Sequence, residues 1–329
     1  MLDIKFECEL SLVAGGAGFI GTQLVTNLLD QGRTVLVVDN FSRGQRNFLS
    51  HHLGNRRLHV VEADLSRREN CEMAFNIAED LGRISEVWHL AANSDIPAGV
   101  ADPDIDLKDT FCTSFELLRA MRAHKVKVIN FASSSAVYGD WMDVPLHESL
   151  GPLRPISNYG AMKLASEAQI CASAESFLDQ ANIFRFPNVV GTPATHGVLY
   201  DFIGRLKKDP SKLEVLGDGT QQKSYLHVSD LVSAMLAVRN RPTGPRVEIV
   251  NIGATDVGVT VKWIAEQVAS RISPSAEIVF GDSNRGWIGD VPKFQYLTDR
   301  IQSYDWVPML GSRAAVIRAI NEIALEFDL

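Results

Sequence analysis

Val13-Ala14-Gly15-Gly16-Ala17-Gly18-Phe19-Ile20-Gly21 is the stretch that decides the fold. An apolar run from Leu10 leads into it and an amphipathic pattern from Gly18 to Gln31 leads out, so glycines spaced GxxGxxG stand at a strand-to-helix turn. Glycine permits a tight turn and close approach of backbone to a pyrophosphate, while the helix N-terminus offers unpaired N–H groups and a partial positive charge. A glycine triplet alone is often only a turn; its context gives it meaning. The next β-branched run, Thr34 to Asp39, ends in a carboxylate eighteen residues past Gly21, where an acid can accept both ribose hydroxyls of a dinucleotide. That acid repels a 2′-phosphate. No arginine replaces it at the strand end, Arg43 being close by, so the reading favours NAD over NADP. Asp64, with Leu65, ends the following run and suits either an adenine amino group or the cap of the next helix.

Working outward, short β-branched runs alternate with helical patterns as far as about residue 135. Strands are expected at Leu10 to Ala14, Thr34 to Asp39, Leu58 to Glu62, Glu86 to Leu90 and Val128 to Ala132. Helices are expected at Gly18 to Gln31, Cys71 to Asp80 and Phe111 to His124. Later strands fall at Ala181 to Phe186 and Val247 to Ile252, with a long helix from Tyr159 to Leu178. This rhythm predicts an α/β chain with a Rossmann-type, doubly wound parallel sheet and right-handed crossovers. After Asn188 the character changes to Gly/Pro/Asp-rich loops at Gly191 to Gly197, Leu216 to Thr220 and Asp282 to Pro292. These predict a smaller, mixed α/β C-terminal substrate domain. The expected division is 1–187 for the dinucleotide domain, with segments returning to it near 225–252, and 188–329 mainly for substrate.

With 329 residues, 46% of them hydrophobic, the chain can bury a full core. Its 32 Lys+Arg against 40 Asp+Glu give a formal net charge of −8, which argues against a nucleic-acid or anionic-membrane partner. Apolar stretches such as Val35 to Val38 are strand-length, far short of the roughly 20 residues of a membrane span. The opening MLDIKFECELSLVAGG carries acids and no signal-like block, so a cytoplasmic protein is expected. Cys8, Cys71, Cys112 and Cys171 form no CxxC pair and read as reduced thiols, and no metal site is expected.

Tyr159 and Lys163 stand four apart in Tyr-Gly-Ala-Met-Lys, on one face of a helix. About one helix upstream, Ser133-Ser134-Ser135 closes an apolar strand and is followed by Ala136-Val137-Tyr138-Gly139. A free tyrosine, with a pKa near ~10, is a poor base at neutral pH; an adjacent ammonium and a nicotinium ring stabilise its phenolate. Such a phenolate can take a hydroxyl proton as hydride leaves the same carbon.

With these residues in view, the chain resembles the extended short-chain dehydrogenase/reductases of the NAD-dependent epimerase/dehydratase family, nearest to the UDP-glucose (UDP-galactose) 4-epimerases. The resemblance runs over nearly the whole length through GGAGFIG, VVDNFSRG, HLAAN, ASSSAVYG, YGAMK, RFPNVVG, GDGTQQKSYLHVSD, NIG and GDVP. It implies that Gly15, Gly18, Phe19, Ile20 and Gly21 hold the pyrophosphate, Asp39 and Asn40 the adenosine ribose, and Asp64 and Leu65 the adenine. Leu90, Ala91 and Ala92 would line the nicotinamide half, and Lys163 would bind its ribose. By the same resemblance Ser134 is the catalytic Ser/Thr and Tyr159 the base. Asn188, Lys223, Tyr225, Arg285, Asp290 and Phe294 then fall on the substrate side. A homodimer paired through two helices is implied as well.

Relatives that eliminate water or decarboxylate carry acidic residues just after the catalytic Ser/Thr; here those positions are Ser135 and Ala136. The expected reaction therefore only oxidises and re-reduces one carbon: a nucleotide-sugar 4-epimerase acting on a UDP-hexose or UDP-hexuronate through a 4-keto sugar. Phe294, at a position that is bulky in epimerases restricted to plain hexoses, argues against N-acetylhexosamines. The substrate side departs from the family pattern at Thr192, Lys223 and Ser224, and Arg285 lies farther from the Gly289-Asp290 pair than the usual phosphate-binding arginine. Two alternatives stand beside this reading: a 4-ketoreductase or other epimerase of the same family, and a non-catalytic NAD-binding regulator. Retention of Ser134, Tyr159 and Lys163 speaks against the regulator.

Overall fold

The computed structural model describes residues 9–142, 144–284, 291 and 293–329. In chain order the first half reads β1 (Glu9–Ala14), α1 (Phe19–Asp30), β2 (Thr34–Asp39), β3 (Leu58–Glu62), α2 (Arg68–Leu81), β4 (Arg83–His89), α3 (Ile96–Ala101) and α4 (Pro103–Asp106). A π-helical turn, Leu107–Cys112, leads into α5 (Thr113–Ala123), and β5 (Val128–Ala132), α6 (Asn158–Ser176) and β6 (Gln180–Arg185) follow. The remainder comprises β7 (Asn188–Val190), α7 (Val198–Lys208), β8 (Lys212–Val215), β9 (Gln222–Lys223), β10 (Tyr225–His227), α8 (Val228–Arg239) and β11 (Val247–Asn251). It closes with β12 (Val259–Thr260), α9 (Val261–Ile272), β13 (Glu277–Phe280), α10 (Asp299–Gln302) and α11 (Ser312–Glu326).

Seven strands form one sheet in the order β11-β6-β5-β4-β1-β2-β3. β1 pairs in parallel with β2 on one side and β4 on the other. β2 is buried at all six residues and β1 at all but Glu9. Such unbroken burial, rather than alternation, is what a parallel sheet covered on both faces requires. Strand order reverses at β1, the position at which open α/β sheets leave a crevice beyond the strand C-termini. The glycine turn leaves β1 at this point.

Three expected elements begin more than one residue from the expected start; one is α2, which starts at Arg68 rather than Cys71. The strand expected at Glu86 to Leu90 runs from Arg83 to His89, because β1 recruits Arg83 opposite Glu9 before a register shift between Leu10 and Ser11. The helix expected from Phe111 begins as the π turn. Its wider winding changes the helical phase, so periodicity alone misplaces the start.

The chain divides into two compact units. The first comprises residues 1–133, 162–183 and 242–248, and the second 134–161, 184–241 and 249–329. Within the second, β7 pairs with β10 and β8 with β13 in parallel, and β9 pairs antiparallel with β12. Its core gathers Leu199, Phe202 and Ile203 of α7, Ile264 and Val268 of α9, and Val316, Ile320 and Ile323 of α11. Among the described residues, no helix is long and apolar enough to cross a membrane and no group of His, Cys, Asp and Glu could hold a metal ion.

Candidate active site

In the first unit the turn after β1 requires glycine at two places. Gly15 has φ +78°, and a Cβ there would lie 2.7 Å from the Ala91 backbone nitrogen. A Cβ on Gly21 would run into the Gly15 carbonyl and lie 2.7 Å from the Gly16 Cα, so only glycine lets α1 seat this close to the turn. Gly18 is the N-cap of α1 and offers no side-chain cap, while Phe19 and Ile20 open the helix itself. Leu90, Ala91 and Ala92 follow β4 and are half-buried; the Leu90 N–H donates to the Ala14 carbonyl at 2.9 Å.

Asp39 ends β2 with 8% exposure. Its two oxygens accept N–H groups from Ala17 at 3.0 Å and Phe41 at 2.9 Å. Burial pushes its carboxyl pKa up, and the two N–H donors pull against that. The residue thus organises the glycine turn, a role the sequence did not disclose. Asn40 is exposed and accepts from the Ser42 N–H and hydroxyl. Arg43 is committed to Asp95 in a 2.7 Å ion pair. Asp64 accepts the Ser66 N–H at 3.0 Å, its hydroxyl at 2.6 Å and the Lys108 ammonium at 3.1 Å. Burial opposes ionisation of Asp64, but Ser66 and Lys108 outweigh it and hold the carboxyl below its ordinary range. It does not cap α2, whose N-cap is Arg67. Leu65 is buried.

Lys163 is 2% exposed, its amine donating to the Ala132 carbonyl at 2.6 Å and lying 4.7 Å from the centroid of the Phe131 ring. Burial brings the pKa of this amine down from 10.5 to about 7, with Glu167 and Asp106 acting in the opposite direction. Glu167, one turn further along α6, accepts the Ser133 hydroxyl at 2.5 Å. Sequence reasoning missed Glu167, although Tyr159, Lys163 and Glu167 repeat at the four-residue spacing that aligns side chains along a helix. Tyr159 lies on the first turn of α6, half-buried.

In the second unit, Ser134 caps the short 3₁₀ turn Ser135–Val137, its hydroxyl oxygen accepting the Ala136 N–H at 3.2 Å. Gly160 lies so close to the Ala136 carbonyl that no side chain fits between them. Beneath this turn, the Tyr138 hydroxyl donates to Asn251 at 2.7 Å and the Arg185 guanidinium lies 4.9 Å from the ring centroid. Asn188 opens β7, exposed and paired in register with Tyr225. Tyr225 itself is 3% exposed, within the apolar core of this unit. Lys223 is buried on β9, opposite Val259. Phe294 packs edge-on to Tyr296 at 5.7 Å. Arg285 and Asp290 lie outside the described residues. His227 is structural: it caps α8, and its ring also meets Ser229 at 2.7 Å and Glu322 at 3.0 Å.

These two sets of residues are joined along the chain by β5, which runs into Ser133 and Ser134, and by α6, which carries both Tyr159 and Lys163. A hydroxyl, a phenol and a buried amine are the parts needed to exchange a proton with an alcohol.

Comparison with known proteins gives a consistent result. The model of the NAD dependent epimerase/dehydratase family matches residues 11–253. A UDP-glucose 4-epimerase of Corynebacterium glutamicum is 32% identical over 278 residues, covering 78% of this chain and 78% of its own. The crystal structure of a UDP-galactose 4-epimerase superposes with a TM-score of 0.84 at 33% identity, over 96% of this chain and 99% of that one. The UDP-glucose 4-epimerase of Thermus thermophilus, solved in complex with NAD, superposes with a TM-score of 0.82 at 27% identity, over 95% of this chain and 98% of that one.

Proposed function

The chain belongs to the NAD-dependent epimerase/dehydratase family, and from that premise we propose that it is a nucleotide-sugar 4-epimerase acting on a UDP-hexose or UDP-hexuronate. The observation that carries this reading is the buried Lys163 amine one helical turn after Tyr159, on a helix anchored to the strand that leads into Ser134. The residues present also fit NAD. Gly15 and Gly21 let the turn close tightly on α1, Gly18 leaves the helix N-terminus open, a Cβ there meeting only the Gly15 carbonyl at 3.4 Å, and Asp39 presents a carboxylate at the strand end. Arg43, the nearby cation that could have welcomed a 2′-phosphate, is paired with Asp95.

NAD, when bound, supplies the acceptor and then the donor of the C4 hydride. Tyr159 takes the O4 proton as that hydride leaves and returns it when the hydride comes back to the other face of the 4-keto sugar. Ser134 donates a hydrogen bond to O4 and keeps it aligned with the phenol. Lys163, when charged, stabilises the Tyr159 phenolate and so lets a phenol act as a base at neutral pH. Ser135 and Ala136 offer no acid for elimination, which supports a reaction confined to one carbon.

Asn188, Lys223, Tyr225, Arg285 and Asp290 are proposed for the nucleotide diphosphate side and Phe294 for the sugar. The burial of Tyr225 makes a supporting role for it, behind Asn188, the better reading. A cytoplasmic homodimer is proposed as well. Phe115, 43% exposed on α5, supplies apolar surface for pairing, and light scattering on the purified protein measures the mass.

The test of function is incubation of purified protein, with no added cofactor, with UDP-glucose, UDP-glucuronate, UDP-N-acetylglucosamine and GDP or CDP sugars, followed by NMR of the products. The expected result is inversion at C4 of a UDP-hexose or UDP-hexuronate by protein that carries its own NAD. Stoichiometric consumption of added NADH would instead identify a ketoreductase.

A further inference from the structure

A second carboxylate, unused in the mechanism above, lies buried in the first unit. Asp106 is 0% exposed. Its Oδ1 accepts the Asn93 side-chain N–H at 2.8 Å, while its Oδ2 is enclosed without any hydrogen-bond partner. The Asp106 carboxylate packs directly on Gly99, leaving no space for a side chain there. Asn93 is itself fixed by the Thr110 hydroxyl at 3.2 Å, and the Thr110 carbonyl takes the Ser114 hydroxyl at 2.9 Å. Ser114 meets the His89 ring at 2.8 Å, His89 packs against Phe131 at 5.1 Å, and Phe131 lies under the Lys163 amine. Asp106 thus belongs to one continuous buried network with Lys163, and it stands at the start of the π turn, a helical irregularity that concentrates at functional sites.

Buried acceptors are nearly always hydrogen-bonded, and one that is not calls for a reason. A carboxylate held only for packing would leave Oδ2 a net loss; an ammonium within the same buried network offsets part of that loss. The formal charges acting on Lys163 are Glu167, on its own helix, and Asp106, from another element. The neutral, fully buried His89 adds no positive charge: burial, and after it the Lys163 charge, hold its pKa well below the ordinary value. Burial first, and Asp109 and Asp95 with it, push the Asp106 carboxyl pKa up, while the Asn93 hydrogen bond and then the Lys163 charge pull against them.

We propose that Asp106 is a positioning residue for the reaction: together with Glu167, its buried carboxylate supplies counter-charge that favours the ammonium form of Lys163 and thereby keeps Tyr159 supplied with its stabilising cation. The proposal rests on Tyr159 and Lys163 forming the proton-handling pair. Asp106 acts through Lys163 and needs no contact with substrate. Asn at this position preserves shape and the acceptor for Asn93 while deleting the charge, so a purely structural role would survive that substitution.

The test follows the Lys163 amine in ε-¹³C-lysine-labelled, NAD-loaded protein, with its resonance assigned by the Lys163→Met variant. In Asp106→Asn the Lys163 titration midpoint is expected to fall. The alkaline limb of turnover should move down by the same amount, with KM little changed. A Lys163 midpoint that does not move, or one that moves without the turnover limb following, overturns the proposal. Should Asp106→Asn fail to fold, the reciprocal measurement decides: the Asp106 carboxyl, followed by ¹³C NMR, must titrate higher in Lys163→Met than in the wild type, and an unchanged midpoint rejects the coupling. An inactive wild type would sink the epimerase reading separately, because the two NMR midpoints are read without turnover.

Discussion

The Lys163 amine donates to the carbonyl oxygen of Ala132 at 2.6 Å, tying helix α6 to the last residue of β5. One turn earlier on that helix stands Tyr159, and two residues beyond Ala132 stands Ser134. This bond, with the Ser133 hydroxyl donating to Glu167 beside it, ties the helix that carries the phenol to the strand that leads to the hydroxyl. It also uses one of the three amine donors.

Replacing Tyr159 by Phe removes the proposed base and little else. Turnover should fall by a factor on the order of 10² or more, with nucleotide-sugar binding nearly unchanged. Steady-state kinetics and ligand titration separate the two, and a nearly fully active variant removes Tyr159 from the mechanism.

Lys163→Met tests the cost of burying an amine. Burial lowers the pKa of this amine from 10.5 to about 7, so between those values the unfolded chain binds one proton more than the folded one. Folding stability contributed by Lys163 therefore rises with pH across that window and is lowest below it. The Met variant lacks this dependence. Relative to wild type it should be most favoured at pH 6 to 7 and progressively less so toward pH 9 to 10, while losing activity. Thermal melts of both proteins across this range check the sign; a gap that widens with pH contradicts it.

Asp39→Ala should strip NAD from the purified protein. Because Asp39 accepts the Ala17 and Phe41 N–H groups, the same substitution should also cost about 1–3 kcal/mol of stability. Asp39→Asn retains one side-chain oxygen and should fold better while still holding NAD poorly. Cofactor content measured by absorbance, set beside the melting temperature, distinguishes the two losses. Unchanged NAD content in both variants would remove the ribose assignment.

Gly21→Ala adds one methyl where the Gly15 carbonyl already sits. Since backbone, not a flexible side chain, must yield, α1 should shift off the turn, with a loss of about 1–3 kcal/mol and of retained NAD. Gly204→Ala serves as the comparison, because a Cβ there meets only the Phe327 ring, at an ordinary 3.7 Å. A Gly21 variant that keeps its cofactor and its melting point would mean that the turn is looser than described.

Much of the proposed site rests on parts that are local. The glycines, Asp39, and the pair Tyr159 and Lys163 are each specified by residue type at short spacing, and short spacing on a strand end or helix turn sets geometry directly. The run of fully buried strand residues was likewise visible, since a parallel sheet with both faces covered tolerates few polar residues. The expectation that strand pairing would begin at Glu86 failed because register belongs to the partner strand: β1 offers Glu9 opposite Arg83.

What the sequence by itself determined is the α/β frame, the glycine turn after the first strand and the four-residue spacing that sets phenol and amine along one helix. Only the tertiary structure decided which charges act on that amine. In Asp102-Pro103-Asp104-Ile105-Asp106-Leu107-Lys108-Asp109 every acid looks equally fit for solvent, yet the fold buries Asp106 completely and leaves Leu107 47% exposed. The reason is physical. Burial depends on which elements are packed against a residue from far along the chain, and the ionisation of a buried group depends on the charges those elements bring, neither of which is encoded in the spacing of its neighbours.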